Sequence, residues 1–165
     1  MDLDFPNLPY LYDGDVKLTE SSAIMRYIAN QYGPEGFSGK TDAAKAQVDM
    51  IFGTVADIKG LTGRHMYVTA DKQAIKDISN NMEAVSKFLG DKLFIVGDYV
   101  TWVDFFIWEQ VEMFEWVTDG EFLKRFPNFA AYHKRIASLP KFAEYVSSDR
   151  FMKGPFNNKV AKLNN

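Results

Sequence analysis

Glu20 and Ser21 stand at the start of a run with helical spacing, where a carboxylate and a hydroxyl lie side by side. The first amides of a helix have no partner within it and the helix dipole is positive there, so this end favours an anion. Thr19, Glu20 and Ser21 equally suit plain capping of that helix, and both uses stay open. A second feature lies further along: Ala46, Asp49, Gly53, Ala56, Gly60, Gly63 and Tyr67 fall at alternating steps of three and four, so they share one helical face. Each interior glycine costs about 1 kcal/mol relative to alanine. Either another backbone packs close to that face, or a cavity for a ligand is left open there. Asp57, on the same helix, has the character of a solvated carboxylate.

Other chemistry is excluded by what the chain lacks. There is no cysteine, so disulfides, thiolate metal sites and cysteine nucleophiles are ruled out. Thiol chemistry would need a thiol brought by a ligand. His65 and His133 have no companion ligands at metal-binding spacing, so no metal site is expected. A formal charge of -3 with scattered Lys and Arg offers no footprint for nucleic acid. No apolar stretch reaches the roughly 20 residues that span a bilayer, and residues 1 to 20 lack the pattern of a signal peptide. A cytoplasmic protein is expected.

The elements that must position these residues follow from periodicity. Leu8 to Leu18 forms two extended stretches around Asp13-Gly14-Asp15, a hairpin whose glycine supplies a positive φ. A short helix carries Ile24, Tyr27 and Ile28 and stops at Gly33-Pro34. Thr41-Asp42 caps a long helix to about Tyr67, and Asp71 opens another that ends near Gly90. Thr101 and Asp104 form a capping box before an almost wholly apolar central helix to Val117, with Val100 as a staple onto Phe105. Trp102, Trp108 and Trp116 on that helix suit a core better than a ligand platform. Pro127 opens a helix to about Leu139, Pro140 opens a short last one, and the tail from Ser148 has weak periodicity. This predicts two strands and six helices. With 165 residues, 47% of them apolar, the chain can bury one good core or join a small unit to a larger one.

Several of these features occur together, in order, in one family. Asp4-Phe5-Pro6-Asn7-Leu8-Pro9-Tyr10-Leu11, then Leu18-Thr19-Glu20-Ser21-Ser22-Ala23-Ile24, resembles the second half of the thioredoxin-like domain of cytosolic glutathione transferases. The long helix with Asp57 and Tyr67, the Val100 to Phe105 element and Phe126-Pro127-Asn128 resemble the mu class of that family, so the likeness covers nearly the whole chain. It implies a partial thioredoxin-like, glutathione-binding domain over 1–35, an α+β remnant of hairpin plus helix. An all-α C-terminal helical domain follows over 36–165. The family's βαβ portion and the tyrosine that hydrogen-bonds the glutathione sulfur have no match in this sequence, which leaves the thiolate-stabilising residue unknown.

The resemblance also assigns roles. It implies conjugation of glutathione, as co-substrate and with no resident cofactor, to a hydrophobic electrophile, in a detoxifying, dimeric enzyme. The alternatives are a catalytically inactive structural or assembly subunit and a carrier of apolar ligands. Asn7, Leu8 and Pro9 would meet the cysteinyl part of glutathione, with the Leu8-Pro9 bond cis in the family. A γ-glutamyl group carries one carboxylate and one ammonium; Ser21 with the helix amides suits the first and Glu20 the second. Mu enzymes usually carry Gln where this chain has Glu20, whereas several other classes carry Glu-Ser. Asp57 would reach the γ-glutamyl ammonium of a neighbouring subunit. Ala56, Gly60, Gly63 and Tyr67 would line the electrophile pocket, wider here because the family has bulkier side chains where Ala56 and Gly60 stand, with Tyr67 as hydroxyl donor. Phe5 would be an aromatic key in the partner subunit, and Arg26 and Asp49 a charge pair at that interface, in a homodimer or a larger assembly.

Overall fold

The computed structural model describes residues 3–164. Strands β1 (Tyr10–Asp13) and β2 (Val16–Thr19) pair antiparallel with Tyr10 opposite Thr19 and Asp13 opposite Val16. Gly14, at φ 57, takes the positive φ of the turn between them. Helix α1 (Ser21–Tyr32) follows and packs on both strands. The hairpin is tied to α1 by Asp13, whose Oδ2 accepts the Tyr27 hydroxyl at 2.9 Å and also the Tyr32 hydroxyl.

Thr41 caps α2 (Asp42–Arg64) by accepting the Ala44 amide at 3.1 Å. The turn that delivers the chain to this cap needs Gly39: its φ is 111, and a Cβ there would lie 2.5 Å from the Lys45 nitrogen. Val48, Ile51, Val55, Ile58 and Thr62 form the buried stripe of α2, again at steps of three and four. The helical path continues as a π-turn over His65–Thr69 and ends at Ala70, which is left-handed at φ 53.

The helix expected from Asp71 to Gly90 is broken. It forms α3 (Lys72–Ile78), a 3₁₀ turn over Ser79–Asn81, and α4 (Met82–Leu89). Ser79 Oγ donates to the Lys76 carbonyl at 2.6 Å, and Asn80 and Asn81 follow. These short polar side chains compete with the helix backbone, which an apolar pattern alone does not register. A further short helix, α6 (Phe122–Arg125), was not anticipated; it lies between α5 (Trp102–Val117) and α7 (Pro127–Ala137), and α8 (Pro140–Val146) is last.

Helix α5 is the centre, in contact with α1, α2, α3, α6 and α7, and Val103, Ile107, Val111, Phe114 and Val117 are fully buried. Its capping box forms as expected from Thr101 and Asp104. Asp104 does more than cap. Its carboxylate, fully buried, accepts the Ile95 amide (2.9 Å), the Thr101 amide (2.7 Å), the Thr101 hydroxyl (2.8 Å) and the Tyr132 hydroxyl (2.7 Å). Burial pushes this carboxyl up from its ordinary value, and the four donated bonds pull the other way. One side chain thus joins the 94–97 turn, α5 and α7. Among the described residues no helix is long and apolar enough to cross a membrane.

Asp104→Ala leaves four donors on three fully buried residues without an acceptor, and is expected to lower stability in urea unfolding by roughly 3 to 5 kcal/mol. Thr101→Ala is expected to cost about 1 kcal/mol, as for loss of one cap.

Candidate functional site

Glu20 holds an uncommon backbone conformation for a residue with a side chain, φ 66 and ψ 111, at the entry to α1. Its side chain makes no capping bond; its carbonyl accepts the Ile24 amide at 3.0 Å. Plain capping therefore does not account for this residue. Glu20 and Ser21 are both exposed beside the first turn of α1, whose leading amides have no intrahelical partner. Non-glycine residues in such conformations gather at ligand clamps, where surrounding structure holds them.

Before the hairpin, the Leu8–Pro9 peptide bond is cis. The Leu8 amide is taken by Asn7 Oδ1 at 2.9 Å, and Asn7, Leu8 and Pro9 are all exposed. The hairpin and α1 carry these residues together with Glu20 and Ser21 as one unit, tied by Asp13. Tyr32 is pushed up to about 12 and Tyr27 is also raised, mainly by their hydrogen bonds to Asp13, while those same two bonds hold Asp13 below its ordinary value. The unit is fastened to the helical part by Arg26. Its Nε donates to Asp49 Oδ1 at 2.9 Å, and its guanidinium lies 4.6 Å from the Phe52 ring centre and 5.2 Å from that of Trp102. Arg26 and Asp49 are therefore paired within one chain. From the other side the Phe37 carbonyl accepts the Trp102 amide at 3.0 Å, which satisfies a leading amide of α5.

The small-residue face of α2 resolves in favour of open space. A Cβ built on Gly53, Gly60 or Gly63 would meet nothing within 4 Å, so no second backbone packs there. Ala56, Gly63 and Tyr67 are half-buried, while Gly60 and Asp57 are exposed. At its far end the face meets the chain's tail, which the weak periodicity did not place. The Tyr67 hydroxyl accepts the Asn158 amide at 3.4 Å, the Met66 carbonyl accepts the amides of Lys162 (2.9 Å) and Leu163 (3.0 Å), and Lys162 Nζ donates to the Val68 carbonyl at 2.9 Å. Phe151, Phe156 and Leu163 pack on the core and anchor that tail. Three apolar residues in an aperiodic segment were the signal for this return.

Phe5 is 78% exposed, so it is not packed within its own chain. Leu8, Ile28 and Met50 add further exposed apolar surface. Trp102 and Trp108 are buried, as expected of core residues, and Trp116 is half-buried. His65 Nδ1 lies 3.1 Å from Thr69 Oγ1, and His133 stacks on Trp108 with Nε2 2.6 Å from Glu112 Oε1. No group of three or more His, Asp or Glu among the described residues is placed to hold a metal ion.

Comparison with known proteins gives a consistent result. Residues 64–149 match the family described as glutathione S-transferase, C-terminal domain, and residues 2–30 match glutathione S-transferase, N-terminal domain. The chain is 37% identical over 169 residues to glutathione S-transferase Mu 3 of Homo sapiens, covering 100% of this chain and 73% of that protein. It is 34% identical over 167 residues to a class-mu glutathione S-transferase of Fasciola hepatica, covering 99% and 75%. The crystal structure of the glutathione S-transferase Blo t 8 superposes with a TM-score of 0.86 at 27% identity, covering 100% of this chain and 79% of that one.

Because Gly60 meets open space, Gly60→Ala is expected to raise stability by about 0.5 to 1 kcal/mol in urea unfolding. The Asp13 cluster sets a pH window. The lowered Asp13 pKa contributes stability above the ordinary carboxylate value, lost as pH falls through the lowered one; the raised tyrosines contribute below 10, a contribution lost as pH rises through their raised values, about 12 for Tyr32. In an ultraviolet titration one tyrosine is expected to ionise near 12, and Asp13→Asn is expected to return it toward 10.

Proposed function

This chain belongs to the glutathione S-transferase family, and on that premise we propose that it binds reduced glutathione and serves its conjugation to hydrophobic electrophiles. The observation that carries this reading is Glu20, held at φ 66 beside Ser21 with its carboxylate uncommitted to capping. Ser21 and the leading amides of α1 take the γ-glutamyl carboxylate, where the helix dipole favours it, and Glu20 takes the ammonium. The main chain of Leu8, between Asn7 and Pro9, meets the cysteinyl part in the manner of an added strand, its amide exchanging Asn7 Oδ1 for the ligand.

Asp57 contributes from a neighbouring subunit to the same ammonium, so the site is shared in a dimer. Phe5, exposed in its own chain, is the aromatic key of that dimer, and the Arg26–Asp49 pair lies at its edge. Buried aromatic anchors of this kind commonly dominate an interface.

The reaction is attack of the glutathione sulfur on an electrophilic carbon. A carbon–sulfur bond forms while the leaving group departs with its electron pair. A free thiol titrates near ~8.5, so a donor aimed at sulfur must favour the thiolate. No residue of this sequence is assigned that task. On the electrophile side Tyr67 offers its hydroxyl to the electrophile or leaving group. The open face of Ala56, Gly60 and Gly63 accommodates broad ligands.

The test is calorimetric binding of S-hexylglutathione. Glu20→Ala and Ser21→Ala are each expected to weaken it about tenfold, the equivalent of some 1.4 kcal/mol, with unchanged circular dichroism. Unaltered affinity in both variants would overturn the site. Conjugation to chlorodinitrobenzene, assayed for this chain alone and fused to a mu-class βαβ segment, separates binding from catalysis. Turnover only in the fusion assigns this chain the binding and electrophile half.

A further inference from the structure

The cations of this chain are scattered, but the two signs of charge are not evenly mixed. Residues 150–165 carry Arg150, Lys153, Lys159 and Lys162 and no Asp or Glu, a formal side-chain charge of +4. The other 15 Lys and Arg stand against all 22 Asp and Glu, which leaves residues 1–149 at -7. A basic tail on an acidic body is a signature of an interaction surface for anions.

Within the tail the chain makes a turn. Asn158 Oδ1 accepts the Val160 amide and the Asn158 carbonyl accepts the Ala161 amide, each at 3.0 Å, so Lys159 and Val160 form its tip. Turn tips ordinarily carry Gly, Pro, Asn, Asp or Ser. Here a β-branched apolar side chain stands 75% exposed, with Lys159 before it and Lys162 two residues after. The turn is also fixed in place, by the bonds to Met66 and Tyr67. Lys162 Nζ on the Val68 carbonyl brings it beside Val68, itself 56% exposed. Arg64, exposed, lies four residues before Val68 and so on a similar side of the helical path. The first acidic residue after Val68, Asp71, is committed to the Ala74 amide at 2.9 Å. Two exposed valines and three cations thus form an apolar point with a basic rim.

We propose that the turn at 158–162, with Arg64 and Val68, docks this protein on an anionic lipid bilayer. Lysine and arginine are drawn to the negative surface potential of such a leaflet, and an apolar tip between them enters the boundary of headgroups and acyl chains. A nucleic acid would engage the cations but leave the valines in water, and this patch has no aromatic ring on which its bases could stack. Because Asn158 also gives its amide to Tyr67, docking sets the open face of α2 beside the bilayer, where hydrophobic electrophiles dissolve. That consequence rests on the role proposed for Tyr67; the docking itself does not.

The test is co-sedimentation of the full chain with vesicles of phosphatidylcholine, with and without a minor share of phosphatidylserine, at low salt and without glutathione. Vesicles containing phosphatidylserine are expected to bind at least about tenfold more tightly, and high salt to abolish the difference. Lys159→Gln is expected to weaken binding about fivefold, the share of one cation at such a surface. Val160→Ser leaves every charge in place and is expected to weaken it about threefold, while Val160→Trp strengthens it by a similar factor. Lys87→Gln, which removes an exposed cation from α4, should leave it unaltered, and circular dichroism should be unchanged in every variant. Equal binding to both kinds of vesicle overturns the proposal. An effect of Lys87→Gln as large as that of Lys159→Gln makes overall charge the cause and overturns the site. Insensitivity to both Val160 variants overturns the apolar tip. Release from the vesicles by a single-stranded oligonucleotide at equal phosphate concentration makes nucleic acid the occupant and overturns the lipid assignment.

Discussion

The buried carboxylate of Asp104 is the interaction on which the helical part of this protein depends. An ionisable group with no solvent exposure is costly unless its lone pairs are satisfied. Here four donors from three segments converge on it: the Ile95 amide, both polar groups of Thr101, and the Tyr132 hydroxyl. Because Ile95 lies in a turn, Thr101 at the start of α5 and Tyr132 in α7, the position of each is conditional on the others. Replacing this hub by apolar packing would remove the direction that hydrogen bonds impose, leaving α5 able to bury its many apolar sides in more than one orientation.

From that fixed helix the rest is placed in layers. Helix α2 lays the stripe from Val48 to Thr62 into the core and turns its glycine-bearing face away from it. The tail then closes the far end of that face through Met66, Tyr67 and Val68. Loss of side chains on a helix normally lowers stability, and close backbone packing does not offset that cost here, because nothing lies within 4 Å of a Cβ at any of the three glycines. That space and the conformation of Glu20 lie on two units, and Arg26, between Asp49, Phe52 and Trp102, is what holds one unit to the other.

The hairpin and α1 form the less buried part. Only Ala29 in this part is fully buried, and polar ties do the work that a core does elsewhere: Asp13 to Tyr27 and Tyr32, and Arg26 to Asp49. Such ties respond to pH and salt in a way that the packing of α5 does not. The residues read as glutathione ligands, Asp57 on α2 apart, are thus carried on the part of the chain that polar ties rather than a core hold in place.

Much of this protein was legible before any coordinates. The hairpin around Gly14, the caps at Thr41 and Thr101, the proline starts of α7 and α8 and the apolar surround of α5 are local signals, decided by φ preferences, capping groups and side-chain period. The ordered motifs from Phe5 to Asn128 also sufficed to point to the family. The sequence could not choose between close packing and open space beside Gly53, Gly60 and Gly63, because the neighbour of a helix face is a distant segment. Nor could it show that Asp104 serves Ile95 and Tyr132 as well as its own cap, that Asn158 and Leu163 bring the tail back to Tyr67 and Met66, or that a cavity forms against Trp108. Those outcomes join residues far apart in the chain, and only the tertiary fold decides which of them meet.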